Sequence, residues 1–184
     1  MKDSKGFGAK KNHKKKDKFS KASQTSFKLL INEALKQHSL GNLKEEEKCY
    51  QLLLERGFSD PRVLINYGNI CLQTGRINQA KDLYEKSIEL YPNIALAYSN
   101  LGIILKDLGE FKAAYSFVHK AREIQPDLFN AYLNESSILI QLGDLKAAEF
   151  SAKKAIELIF NSPQAHLNLG LVFKAQGNLE AAEE

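Results

Sequence analysis

Apolar residues recur along this chain in short stripes of helical period. Tyr98, Leu101, Gly102 and Leu105 stand at i, i+3, i+4 and i+7, a spacing that brings four side chains to one face of a helix. Leu64, Tyr67, Gly68 and Cys71 repeat the stripe 34 residues earlier. A second stripe follows in each unit, as Ile77, Ala80, Tyr84 and Ser87 illustrate. The pattern predicts pairs of short amphipathic helices, and the small residue within the first stripe predicts close approach of the second helix.

The pairs share one register. Gly41, Gly75, Gly109, Gly143 and Gly177 recur at an unbroken 34-residue period. Seven residues before them stand Ala34, Gly68, Gly102, Ser136 and Gly170, and five after stand Glu46, Ala80, Ala114, Ala148 and Ala182. A fixed period of this length marks a solenoid, in which a unit buries its apolar face only by stacking on neighbours. The periodic glycine suits a left-handed residue just past a helix end. Pro92 and Pro126 fall after second helices, while Asp60-Pro61 and Ser162-Pro163 read as an N-cap followed by the first helical residue. The expected fold is all-α: an α-solenoid of about 4.6 helix-turn-helix units. A tail over residues 1–24 precedes units at 27–60, 61–94, 95–128, 129–162 and an incomplete 163–184.

The stretch Tyr98-Ser-Asn-Leu-Gly102, with Gly109, Ala114, Ala121 and Pro126, resembles the tetratricopeptide repeat. That resemblance implies a right-handed superhelix whose first helices line a concave surface. Units two to four fit best. Glu33, Gln37 and Glu46 occupy expected core positions of unit one, which fits a polar cap on the array. Phe58 and Phe160 stand where a proline is expected, and Glu135 has no explanation in the repeat pattern. Leu179-Glu-Ala-Ala-Glu-Glu184 begins a second helix and covers little of unit five. Apolar surface near Leu169 and Phe173 is therefore expected to be open to self-association or to a longer array.

Charge divides the chain. Residues 1–22 hold nine lysines against Asp3 and Asp17, so the +4 net charge belongs to the tail and the remainder is acidic. The run Lys10-Lys-Asn-His-Lys-Lys-Lys-Asp-Lys18 lacks helical periodicity and has little to bury, so disorder is expected. It serves either as a polyanion contact, to nucleic acid or anionic lipid, or as a solubilising leader. No apolar run is long enough to span a membrane, and no apolar segment follows the basic start as in a signal peptide. Cys49 and Cys71 suggest neither a disulfide framework nor a zinc site. A reducing, cytoplasmic setting is expected.

Catalytic signatures are absent from the sequence: no phosphate loop, dinucleotide fingerprint, His-Glu metal motif or Gly-x-Ser-x-Gly elbow. His13, His38, His119 and His166 have no mutual ligand spacing. The sequon at Asn134-Glu-Ser136 lies within a predicted helix. No catalytic residue, metal, cofactor or small-molecule substrate is expected.

A second ladder carries more meaning. Asn32, Asn66, Asn100, Asn134 and Asn168 share the 34-residue period, two positions before the small-residue column. Two residues turn a helix by about 200°, so each asparagine points away from the buried stripe of its own helix. The resemblance then places them in the concave groove, beside Arg62, Ile65, Asn69, Ser99, Lys106, Leu133 and Gln141. A carboxamide carries both donor and acceptor, so such a ladder suits the main chain of an extended peptide. The ladder is similar to that in the repeat region of protein O-linked N-acetylglucosamine transferases. The carboxylate-clamp variety needs cations where Ile65, Ser99 and Leu133 stand. The expected peptide-binding residues are Asn66, Asn100, Asn134, Asn168, Asn69, Arg62, Lys106 and Gln141. The expected function is a non-catalytic scaffold holding an extended segment of another protein. Two alternatives stand beside it: the substrate-recruiting region of a larger glycosyl-, sulfo- or methyltransferase, and an adaptor tethered by its basic tail.

Overall fold

A computed structural model describes residues 20–177. The described residues form helices and turns without a strand: α1 (Lys21–Ser39), α2 (Leu43–Glu55), α3 (Pro61–Gln73), α4 (Ile77–Leu90), α5 (Ala95–Asp107), α6 (Phe111–Ile124), α7 (Phe129–Leu142), α8 (Leu145–Leu158) and α9 (Pro163–Ala175). Odd-numbered helices are the first and even-numbered helices the second of each pair. Each helix packs chiefly on its neighbours in sequence, and α5, α7 and α9 also touch one another in series. The result is an all-α solenoid.

Local chemistry sets the helix ends. Ser20, Asp60, Asp144 and Ser162 cap α1, α3, α8 and α9 by accepting backbone N–H bonds, and Pro61 and Pro163 open their helices where no donor is lost. The five periodic glycines all have φ between 70° and 79°, the left-handed region in which a Cβ is strained. Gly57, outside the period, ends α2 in the same way at φ 75°.

The small-residue column fixes the helix pairs. A Cβ added at Gly68 would lie 2.5 Å from the Tyr84 ring, and one at Gly102 would lie 2.4 Å from Val118 Cγ2. Ala34 and Ser136, in the same column, are fully buried. Cys49 and Cys71 are buried free thiols whose pKa is raised by desolvation, so both pack as small apolar side chains.

Unit one departs from the sequence reading at two places. α1 begins at Lys21, inside the stretch expected as tail, and extends to 19 residues where the other first helices have 13 or 14. Buried Phe27, one period before Pro61, packs against Phe58 with ring centroids 4.6 Å apart, which accounts for the aromatic residue in the proline column. The rest of the expected tail, residues 1–19, lies outside the described residues, as do residues 178–184. Glu46 is no part of a solvated cap: it is 2 % exposed, with both carboxylate oxygens 3.1 Å from His38 Nδ1. Glu33 and Gln37 pair with each other on the surface.

An ion pair ties α2 to the start of α4. The Arg76 guanidinium donates to both oxygens of Glu47, at 2.5 and 2.8 Å, and the arginine holds this carboxyl below its ordinary pKa. A carboxylate with a lowered folded-state pKa stabilises the fold above its unfolded pKa, and that stability is lost as pH falls through the folded value. Glu47→Gln is therefore expected to cost about 1 kcal/mol near neutral pH. It should also flatten the loss of stability below the ordinary carboxylate range, as read from urea midpoints across pH.

Candidate peptide-binding site

The asparagine ladder lies where each first helix meets the preceding unit. Asn66 Nδ2 donates to Tyr50 Oη (3.1 Å), Asn100 Nδ2 to Asn69 Oδ1 (2.9 Å), Asn134 Nδ2 to Ser99 Oγ (3.1 Å) and Asn168 Nδ2 to the Leu133 carbonyl (3.0 Å). Every one of these donors reaches back to the preceding unit. Asn69 Oδ1 takes a second bond, from Tyr84 Oη at 2.6 Å; burial raises the pKa of that phenol, so it remains a donor. The amide oxygens of Asn66, Asn100, Asn134 and Asn168 accept no hydrogen bond among the described residues.

The ladder is therefore two-sided. Its N–H face holds the array together, and its carbonyl face retains acceptor capacity. The 34-residue period gives the angular position of each asparagine, but the acceptors are of four kinds, and only Ser99 and Leu133 share a column. Tyr50 and Tyr84, themselves one period apart, were the available signal that a polar group stands opposite.

The other expected lining residues divide. Ile65 and Ser99 are buried, 3 % and 0 % exposed; neither lines an open groove. Leu133 is half-buried in that column, and Leu167, in the last unit, is 63 % exposed. The Arg62 guanidinium is held by Asp60 through bonds of 2.9 and 3.1 Å, and Lys106 Nζ lies 3.4 Å from Asp107. Gln141 is exposed at the end of α7.

Glu135, unexplained by the repeat pattern, is met by side chains of two other helices, α6 and α8. Its Oε2 accepts from Ser151 Oγ (2.8 Å), while Oε1 lies 3.4 Å from Arg122 Nε and 3.6 Å from His119 Nδ1. Serine, histidine and glutamate thus come together, but Ser151 donates to the carboxylate rather than to the imidazole and is 2 % exposed. That is a structural ion cluster and lacks the nucleophile-to-base contact of a hydrolase. No group of three or more metal-ligating side chains occurs among the described residues, and no helix there is long and apolar enough to cross a membrane. Cavities beside Gly75 to Gln79 and beside Gly109 to Ala113 repeat with the period, so they are features of the turn.

Three models of the tetratricopeptide repeat match the chain, over residues 68–109, 129–162 and 163–184, together more than half its length. No curated protein matches. Among solved structures, a MamA protein aligns at 19 % identity and TM-score 0.71, covering 87 % of either chain. MamA 41-end from Desulfovibrio magneticus RS-1 aligns at 20 % identity and TM-score 0.73, covering 85 % of this chain and 89 % of that one. A tetratricopeptide repeat protein from Parabacteroides merdae ATCC 43184 aligns at 22 % identity and TM-score 0.70, over 86 % of this chain and 63 % of that one. At these identities the likeness is one of fold.

Proposed function

We propose that this chain of tetratricopeptide repeats is a non-catalytic interaction scaffold that holds an extended segment of another protein along its first helices. The observation that carries this reading is the row of asparagine amide oxygens at 66, 100, 134 and 168. They are spaced one per unit and left without a donor after their own N–H groups have bonded the preceding unit. Carbonyl acceptors in a row accept from the N–H groups of an extended main chain whatever its side chains are, so affinity comes from backbone and selectivity from neighbours. The likeness of the Tyr98–Gly102 stretch to transferase repeats motivates the same use of the ladder.

The structure supplies a control that separates binding from packing. Ser99→Ala removes the acceptor of Asn134 and leaves the ladder oxygens in place, so it is expected to cost about 1 kcal/mol of stability and to spare peptide binding. Asn100→Ala with Asn134→Ala removes both faces. It is expected to weaken binding to an immobilised library of extended peptides by about tenfold or more, with far-UV helicity retained. Equal loss in the Ser99 variant would mean that the ladder serves packing alone.

A further inference from the structure

Glu46 stands in a column otherwise held by Ala80, Ala114 and Ala148 among the described units, all fully buried. Alanine there lets paired helices meet; a glutamate brings a carboxylate into a position that is 2 % exposed. An ionised carboxylate so placed is costly unless a cation compensates it. The other buried glutamate, Glu135, has an arginine at 3.4 Å. Glu46 has no arginine or lysine within ion-pair distance among the described residues; it is met by His38 Nδ1 at 3.1 Å and by the Tyr50 phenol, which carries no positive charge.

This carboxylate lines a cavity of about 170 Å³ between α1, α2 and α3. Leu35, Leu43 and Ile70 form apolar wall, and His38, Tyr50, Asn66, Asn69 and Gln73 complete the polar lining. Asn66 directs its N–H to Tyr50 and keeps its amide oxygen as an acceptor. Asn69 Oδ1 is already saturated by Tyr84 and Asn100. The volume is below the roughly 300–1,000 Å³ typical of small-molecule pockets, and suits the end of a single side chain.

We infer that this cavity is a binding site for a primary ammonium group on an alkyl stem, the chemistry of a lysine side chain, with Glu46 and the Asn66 amide oxygen as its acceptors. Lysine presents methylenes to apolar walls and a compact charge with three donors and no acceptor at its tip. A guanidinium would need a wider planar fork of acceptors than two groups supply. Because Asn66 belongs to both the cavity and the ladder, the inference deepens the scaffold reading, and rests on it for the claim that the lysine belongs to a bound segment. Two sources carry this chemistry: a lysine of a partner protein, and the lysines between Lys10 and Lys18 of this chain.

The test uses the full chain and Nα-acetyl-lysine methylamide as probe, followed by backbone amide chemical shifts, with the norleucine analogue as an uncharged stem of the same length. The lysine probe should shift Glu46, Tyr50, Asn66 and Gln73 and bind at least tenfold more tightly than the norleucine probe. Glu46→Gln and Glu46→Ala should both abolish that difference, the alanine variant being the residue the other units tolerate at this position. Equal response to both probes, or an unchanged lysine response in the two variants, would overturn the assignment. Asn134→Ala alone touches no residue of this cavity, so its failure to alter peptide binding would count against the scaffold reading without touching the ammonium site. In a full chain with Lys10, Lys11, Lys14, Lys15, Lys16 and Lys18 replaced by serine, tighter probe binding assigns the site to the chain's own lysines. Unchanged binding assigns it to a partner's.

Discussion

Arg122→Ala is expected to lower the stability of the array by about 3 kcal/mol, at the lower end of the cost of stripping one partner from a buried ion pair. Glu135 is 2 % exposed, and its Oε1 receives no hydrogen bond in the described structure. The charge of that oxygen is therefore met by Arg122 at 3.4 Å, whose guanidinium also donates to His119 Nδ1 at 2.8 Å. The arginine is itself 26 % exposed, which keeps the cost from the top of the range. The reverse experiment has the opposite sign. Leu101, one period before Glu135, shows that leucine fits this column. Glu135→Leu combined with Ser151→Ala, which removes the serine hydroxyl left without an acceptor, is expected to be neutral or stabilising by about 1 kcal/mol. In that background Arg122→Ala should become nearly silent. Urea midpoints of the four variants give the coupling directly; additive effects would mean that Arg122 acts through packing on Tyr132, over whose ring it lies at 5.8 Å.

Gly102→Ala carries the second large effect. The new Cβ would meet Val118 Cγ2 at 2.4 Å and the Ala114 carbonyl at 3.2 Å. Val118 is fully buried and branched at Cβ, so it cannot swing away, and α5 must separate from α6. Overpacking of this kind costs about 1–3 kcal/mol, against which alanine returns up to about 1 kcal/mol of helix propensity. A net loss of about 1–2 kcal/mol is expected. Because a solenoid is a chain of nearest-neighbour contacts, damage in the middle unit should also broaden the unfolding transition. Unit four points to the remedy: Ser136 there faces the smaller Ala152, and both are fully buried. Val118→Ala should therefore recover part of the stability lost in Gly102→Ala. If the second change only adds to the loss, the clash is not its cause.

These two sites differ in how far the sequence discloses them. The glycine at 102 announces itself, because a small residue recurs in one column and its purpose, close helix approach, follows from period alone. The turn glycines and the prolines are legible for the same reason, since each acts through its own backbone. Glu46 and Glu135 are not legible in this way. A column predicts what a position faces, and both glutamates do face the interior, but the groups that make them tolerable lie elsewhere in the chain. His38 is eight residues from Glu46, and Ser151 is sixteen from Glu135. The same limit hides the N–H side of the asparagine ladder. Period and helical angle give each asparagine a position on its helix, yet say nothing of which end of the amide turns toward the preceding unit.

That backward-turned amide also says something about how such an array grows. Each junction needs one fixed contributor, the asparagine brought by the incoming unit. Its counterpart is met in turn by a phenol, an amide, an alcohol and a main-chain carbonyl. A seam that is specific on one side and permissive on the other lets a unit be copied or lost without a matching change in its neighbour. Duplication then lengthens the surface one rung at a time while every seam closes with parts already present.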